Sequence, residues 1–144
     1  MMTLDDIVDV FELLGDWDQR YQYLIELGEQ LPAMPEALKT DGNKVKGCMS
    51  QVWVSAWTRL STPDKVFFHG DCDTSIIKGV LALLIQLLEG SGQDEIEALD
   101  VDRFFSRLQL DEHLSPTRHF GVYAIVELMK QQARRLNTPI SQSA

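Results

Sequence analysis

Cysteine is scarce in this 144-residue chain: only Cys48 and Cys72 occur, too few for a disulfide framework. Long apolar runs are missing too. The longest, Val80-Leu81-Ala82-Leu83-Leu84-Ile85, falls far short of the ~20 residues needed to cross a bilayer. No basic segment leads into an apolar one at the N-terminus, where Asp5, Asp6 and Asp9 stand instead, so no export signal is expected. These absences set the expectation of a cytoplasmic protein with reduced thiols. Positive charge is in deficit, with 13 Lys and Arg against 22 Asp and Glu and a formal net charge of −9. That disfavours nucleic acid, whose phosphates require a basic face, and suits solubility or docking on a basic protein surface. Ligand-spacing motifs are absent: His69, His113 and His119 are scattered, and no H-E-x-x-H or paired C-x-x-C occurs. Nor is there a G-x-S-x-G elbow or a Gly-rich phosphate cradle. No resident metal or cofactor is expected.

What is present is an ordinary globular balance, 44% hydrophobic and 24% charged, which argues against disorder. The length suits a single domain over residues 1–136 with a loose tail at 137–144. Leu4, Ile7, Val8, Phe11 and Leu14 stand at helical spacing between an N-cap at Thr3 and a stop at Gly15. A second helix is expected from an Asp16 N-cap to just before Pro32, and a loop through Pro32 and Pro35. From Gln51 to Leu60, Val52, Val54 and Ala56 alternate with Trp53, Ser55 and Trp57, the two-residue period of a strand. Ser61-Thr62-Pro63-Asp64 reads as the turn of a hairpin whose second strand is Lys65 to His69, and Asn43 to Lys46 as a short third strand. Asp73 reads as the cap of a strongly apolar helix running to Glu89 and stopped at Gly90-Ser91-Gly92. Short helices at Asp94–Leu99 and Asp102–Leu108 follow, then a final helix from Ser115 (N-cap) and Pro116 to about Leu136. Helices flanking a small antiparallel sheet of about three strands make the fold α+β.

Chemistry centres on the two thiols. Cys48 follows Gly47 at a loop-to-strand junction; a free cysteine is usually a small buried apolar residue. In an extended chain, however, Lys44 and Lys46 would share its side and favour the thiolate. Cys72 stands before a helix start, whose positive end favours a thiolate, between Asp71 and Asp73, which oppose it. Asp71 and Asp73 form a candidate carboxylate pair, half explained by capping. Trp53 and Trp57 on one strand face read as packing, and Arg134-Arg135 as complements of a helix dipole.

The heptapeptide Gly47-Cys48-Met49-Ser50-Gln51-Val52-Trp53 resembles the G-C-x-S-Q-V-W motif of the SufE/CsdE-like sulfur acceptors, which partner a cysteine desulfurase in iron–sulfur cluster assembly. Trp17-x-x-Arg20-Tyr21-x-Tyr23 through Pro32 is similar to that family's N-terminal signature. Gly70-Asp71-x-Asp73 with Ile77-Lys78-Gly79 resembles its helix start, and His113-Leu114-Ser115-Pro116-x-Arg118-x-x-Gly121 its last helix. The resemblance implies a fold like that of IscU-type scaffolds and a persulfide acceptor at Cys48. By that reading the protein is no enzyme on a free substrate but a carrier that stimulates the desulfurase and passes sulfur to a downstream scaffold, as a monomer or weak homodimer. It implies supporting or docking roles for Lys46, Gly47, Ser50, Gln51, Asp73 and Arg118. Arg118 is expected to meet either a partner anion or Asp71 or Asp73. Cys48 is expected to rest against Met49 and Trp53. Where family members commonly carry Ser, this chain has Cys72, expected near Cys48 and His113. Two alternatives rest on that second thiol: an IscU-like metal-binding or cluster scaffold, and a two-cysteine thiol-redox protein.

Overall fold

The computed structural model describes residues 2–47 and 50–137; Cys48, Met49 and all but the first residue of the expected tail lie outside the described residues. The first helix, α1 (Leu4–Leu14), begins at a reciprocal cap: Thr3 Oγ1 accepts the Asp6 N–H and Asp6 Oδ2 accepts the Thr3 N–H. It stops at Gly15, whose φ of 79° is open to glycine at little cost. The second, α2 (Trp17–Gln30), starts at Asp16, whose carboxylate accepts the Gln19 N–H, and buries Leu24, Leu27 and Gly28. Two short 3-10 turns, Glu36–Leu38 and Asp41–Asn43, carry the chain to the sheet.

The sheet has two strands, β1 (Val52–Arg59) and β2 (Thr62–Cys72), paired antiparallel. The expected third strand at Asn43 to Lys46 is reduced to one bridge, Lys44 opposite Trp53, with the Val45 N–H donating to Val52 O. The 3-10 turn at Asp41–Asn43 and the turn at Lys46-Gly47 leave too little extended chain there for a ladder. The hairpin turn also differs from expectation. Arg59 pairs with Thr62, so the chain reverses at Leu60-Ser61, and β2 starts three residues early. Pro63, Asp64 and Lys65 then have no opposite number before Thr58 meets Val66. The turn-forming residues belong to a bulge, where a proline that cannot donate costs no ladder bond.

Strand alternation puts Val52, Val54, Val66, Phe68 and Cys72 on one buried face. That face packs on α3 (Ser75–Leu88), in which Ile77 and every residue from Gly79 to Ile85 are buried. Each large aliphatic side chain so buried contributes roughly 1.5–3 kcal/mol. Two short helices, α4 (Gln93–Glu97) and α5 (Val101–Leu108), lead to α6 (Pro116–Asn137). Ser115 Oγ accepts the Arg118 N–H, as an N-cap does. From α6 the buried Gln132 reaches β1, donating to Val54 O and accepting from the Ala56 N–H, both at 2.9 Å. It serves the strand edge as a third strand would. The architecture is α+β, as expected, with a smaller sheet.

Helices α2 and α3 meet through their glycines. A Cβ on Gly79 would lie 2.1 Å from the Leu24 carbonyl oxygen, and one on Gly28 3.0 Å from the Gly79 nitrogen. Backbone cannot give way as a side chain can, so Gly79→Ala should cost at least the 1–3 kcal/mol typical of overpacking. A urea titration of both proteins checks this; unchanged midpoints would mean that the helices do not approach so closely.

Candidate functional site

The seam between the start of β1 and the end of β2 gathers most of the residues singled out above. Antiparallel pairing sets Val52 opposite Cys72, which brings the residues just before one strand against those just after the other. The Gln51 N–H donates to Asp73 Oδ1 at 3.0 Å, and Gln51 O accepts the Asp73 N–H at 3.1 Å. The hydroxyls of Ser50 and Thr74 are hydrogen bonded to one another. On the other limb, the Val45 N–H donates to Val52 O at 2.8 Å, joining the chain on either side of residues 46–51. Gly47 has a φ of 83°, a left-handed conformation that side chains resist. The chain turns at Lys46-Gly47, and the expected alignment of Lys44 and Lys46 with Cys48 falls on a residue outside the described ones. Lys46 is exposed, whereas Lys44 places its ammonium 5.9 Å from the centre of the Trp53 ring.

Asp73 is not the cap of α3. Thr74 occupies that position without a side-chain bond to the helix, and the Asp73 carboxylate serves Gln51 and Thr74 instead. Cys72 is buried, 6% exposed. Its Sγ accepts the Thr74 N–H at 3.4 Å and lies 3.6 Å from Thr74 O.

Beside this seam stands a charge cluster that the sequence indicated only in part. Asp71, on the opposite face of β2, pairs with Lys39 at 2.8 Å and Lys78 at 3.3 Å. Lys39 also sits over Trp53, 5.4 Å from the ring centre. Burial pushes the Asp71 carboxyl up, but hydrogen bonds from Lys39, the Cys72 N–H and Lys78 outweigh it and hold the carboxyl below its usual range. Asp71 and Asp73 are therefore engaged separately and form no shared acid–base pair. Thr74 and Lys39 were not anticipated. Lys39 lies 32 positions before Asp71 (71 − 39), and no local pattern links the two.

The remaining candidates lie elsewhere. Arg118 is exposed in the first turn of α6 and, among the described residues, forms no ion pair with Asp71 or Asp73. His113 stacks on Trp17 with ring centres 3.8 Å apart, and Tyr21 Oη donates to His113 O. Trp17 lies 11 residues along α2 from Gly28, about 16 Å at the helical rise, and it is Gly28 that borders Cys72. The expected meeting of His113 with Cys72 is thus not found. Arg20 donates to Phe11 O at the end of α1. Trp17, Arg20, Tyr21 and His113 thus join helices together. Arg134 pairs with Glu97 across to α4. Among the described residues, no three His, Cys, Asp or Glu side chains are grouped to hold a metal ion.

Asp71 supports a pH test. Its native pKa is lowered, so its stabilisation is fully present above the unfolded carboxylate pKa of about 3.9 and is lost as pH falls through the native value. Asp71→Asn should lower the urea midpoint at pH 7, and the gap to the parent should close on acidification toward pH 3. A gap that stayed constant would show that the charge is not the source.

Relatives of the chain are known. The family model described as SufE, Fe-S metabolism associated domain, matches residues 5–133. An uncharacterized SufE-like protein of Rhizobium meliloti is 38% identical over 134 residues, covering 92% of this chain and 96% of that protein. One from Rhizobium etli is 39% identical over 135 residues, covering 93% and 91%. A hypothetical protein from Thermus thermophilus, known from its solution structure, superposes with a TM-score of 0.77 at 22% identity, covering 95% of this chain and 99% of its own. That last likeness speaks to the fold alone. No helix among the described residues is long and apolar enough to cross a membrane.

Proposed function

The chain belongs to the SufE family, and on that premise we propose that it accepts persulfide sulfur from a cysteine desulfurase onto Cys48. The Cys48 thiolate attacks the outer sulfur of the enzyme's cysteine persulfide, the sulfur–sulfur bond breaks, and the enzyme's thiolate leaves. Clearing that cysteine frees the desulfurase for its next turnover, and the carrier hands the sulfur to a scaffold for cluster assembly. The protein does no chemistry on a free substrate.

The observation that carries this reading is how the chain is fastened on either side of Cys48. Val45 is hydrogen bonded to Val52, and Ser50 and Gln51 are bound to residues 74 and 73. Firm anchors on both sides of a short segment suit a thiol that must enter another protein's site. Gly47 permits the turn. Ser50, Gln51 and Asp73 hold the far limb. Exposed Lys46 and Arg118 are cations available for docking. A cation in the first turn of a helix opposes the helix dipole, so Arg118 gains nothing from its own helix and is suited to a partner's carboxylate.

Incubation with its host's cysteine desulfurase and L-cysteine should add one sulfur atom to Cys48, read by mass spectrometry, and raise desulfurase turnover. Cys48→Ser should lose both effects; an unaltered stimulation would sink the proposal. Arg118→Ala should keep its melting temperature but require several-fold more protein for half-maximal stimulation, a shift of about 1 kcal/mol in docking. An unchanged concentration dependence would remove Arg118 from the docking surface.

A further inference from the structure

We propose that the outer edge of β2 at Phe68 to Gly70 is a docking site for a short extended peptide, aliphatic with basic flanks, which pairs with it as an added strand. The site is independent of whether Cys48 takes sulfur. The β1–β2 ladder fixes which way these residues face. Val54 O and the Ala56 N–H turn away from β2 and are taken up by Gln132. Val54 and Ala56 stand opposite Gly70 and Phe68. Residues directly opposite in an antiparallel pair either exchange both their bonds or both turn away. Phe68 and Gly70 therefore aim their N–H and C=O groups off the side of β2 that β1 does not cover.

At both ends of this window the edge is closed. The Val66 N–H donates to Ser91 O at 2.8 Å and Val66 O accepts the Gly90 N–H at 2.9 Å, so Gly90-Ser91 lies antiparallel along β2. That pairing stops because the preceding residues belong to α3, which ends at Leu88 with Glu89 as its cap. At the other end the Cys72 N–H donates to Asp71 Oδ1 at 2.8 Å. Among the described residues, the outward groups of Phe68 and Gly70 have no partner. Two donors and two acceptors at strand spacing are the pattern that another main chain matches.

A cavity of about 340 Å³ borders this stretch of β2, walled from the helices and the loop after α2 by Leu27, Leu31, Pro32 and Ile85. Partner residues opposite Phe68 and Gly70 would turn their side chains to the same face as these two, so aliphatic residues suit those places. Trp57 and Gln86 also line the cavity. Their Nε1 donor and Oε1 acceptor are buried without a partner among the described residues. Buried polar atoms are nearly always paired, and peptide amides supply both kinds of partner. Among the described residues Glu89 is the one carboxylate on the wall, which favours basic flanks. A second copy of this chain could also pair along a bare edge, but two chains of net charge −9 repel one another.

The probe is the blocked pentapeptide acetyl-Lys-Val-Thr-Val-Lys-amide, titrated into isotope-labelled protein and followed by NMR. The Phe68 and Gly70 amides and the Trp57 indole N–H should shift saturably, and the two amides should exchange more slowly with solvent. Methylating both Val nitrogens removes the donors that face β2 and keeps the side chains; binding should weaken by about tenfold or more. Methylating the Thr nitrogen, which faces away, should weaken it far less. Glu89→Lys, at an exposed position, should weaken binding several-fold while the protein stays folded; unchanged binding would overturn the basic flanks. The added strand is overturned if no saturable shift occurs, or if the doubly methylated peptide binds as well as its parent. Shifts spread over the acidic surface and abolished by salt would show charge attraction alone and overturn it too. So would slow exchange of both amides in the free protein together with a dimer in sedimentation, because a second copy would then be the occupant.

Discussion

A helix with almost no polar face must be covered on every side, and α3 is that helix. From Gly79 to Ile85 each of its residues is buried, so the remaining elements are arranged by the need to enclose it. The hairpin lays its valine face along one side, where Gly70 lets Leu81 and Ile85 come close to the strand. On another side α2 approaches until the backbones nearly touch, which Gly28 and Gly79 allow. With α3 fixed in this way, its first turn has one place to be, and the end of β2 must lead into it. Residues 72–74 are held there by the core, and Ser50 and Gln51 are held by Thr74 and Asp73.

The site is therefore built from the inside outward. The bonds from Ser50 and Gln51 end on residues between a strand and a helix that cannot move without opening the core. Charge follows the same plan. Asp71 draws Lys39 and Lys78 to one carboxylate, tying the segment after α2 to the sheet and to α3 beside the same seam. Lys46 and Arg118 are exposed cations on a chain whose net charge is −9.

Much of this is legible in the sequence. The ends of α1 and α2 are marked by Thr3, Gly15, Asp16 and Pro32, because capping and chain-breaking are local effects. The alternation of Val52, Val54 and Ala56 shows β1 for the same reason. Expectation and structure part where a local signal serves a distant partner. Asp73 has the composition of a helix cap, yet the Gln51 amide competes for its carboxylate and Thr74 takes the cap position. Pro63 and Asp64 look like a turn but fill a bulge, since Arg59 and Thr62 already pair. Asn43 to Lys46 looks like a strand, but the β1 edge is served by Gln132 from α6. Trp17, Arg20, Tyr21 and His113 carry part of the family resemblance, and in the structure they hold helices together.

From the order of residues alone came the mixed fold, the central apolar helix, and a heptapeptide specific enough to name a family. These rest on periodicity, caps and covalent sequence, all of which act within a few residues. Only the folded chain decided that Asp71 would be neutralised by Lys39 and Lys78, that Asp73 would hold Gln51, and that Cys72 would lie sheltered while His113 lay at the far end of α2. Those outcomes depend on which surfaces α3 brings together, and contacts across tens of residues leave no periodic trace in the segments that make them.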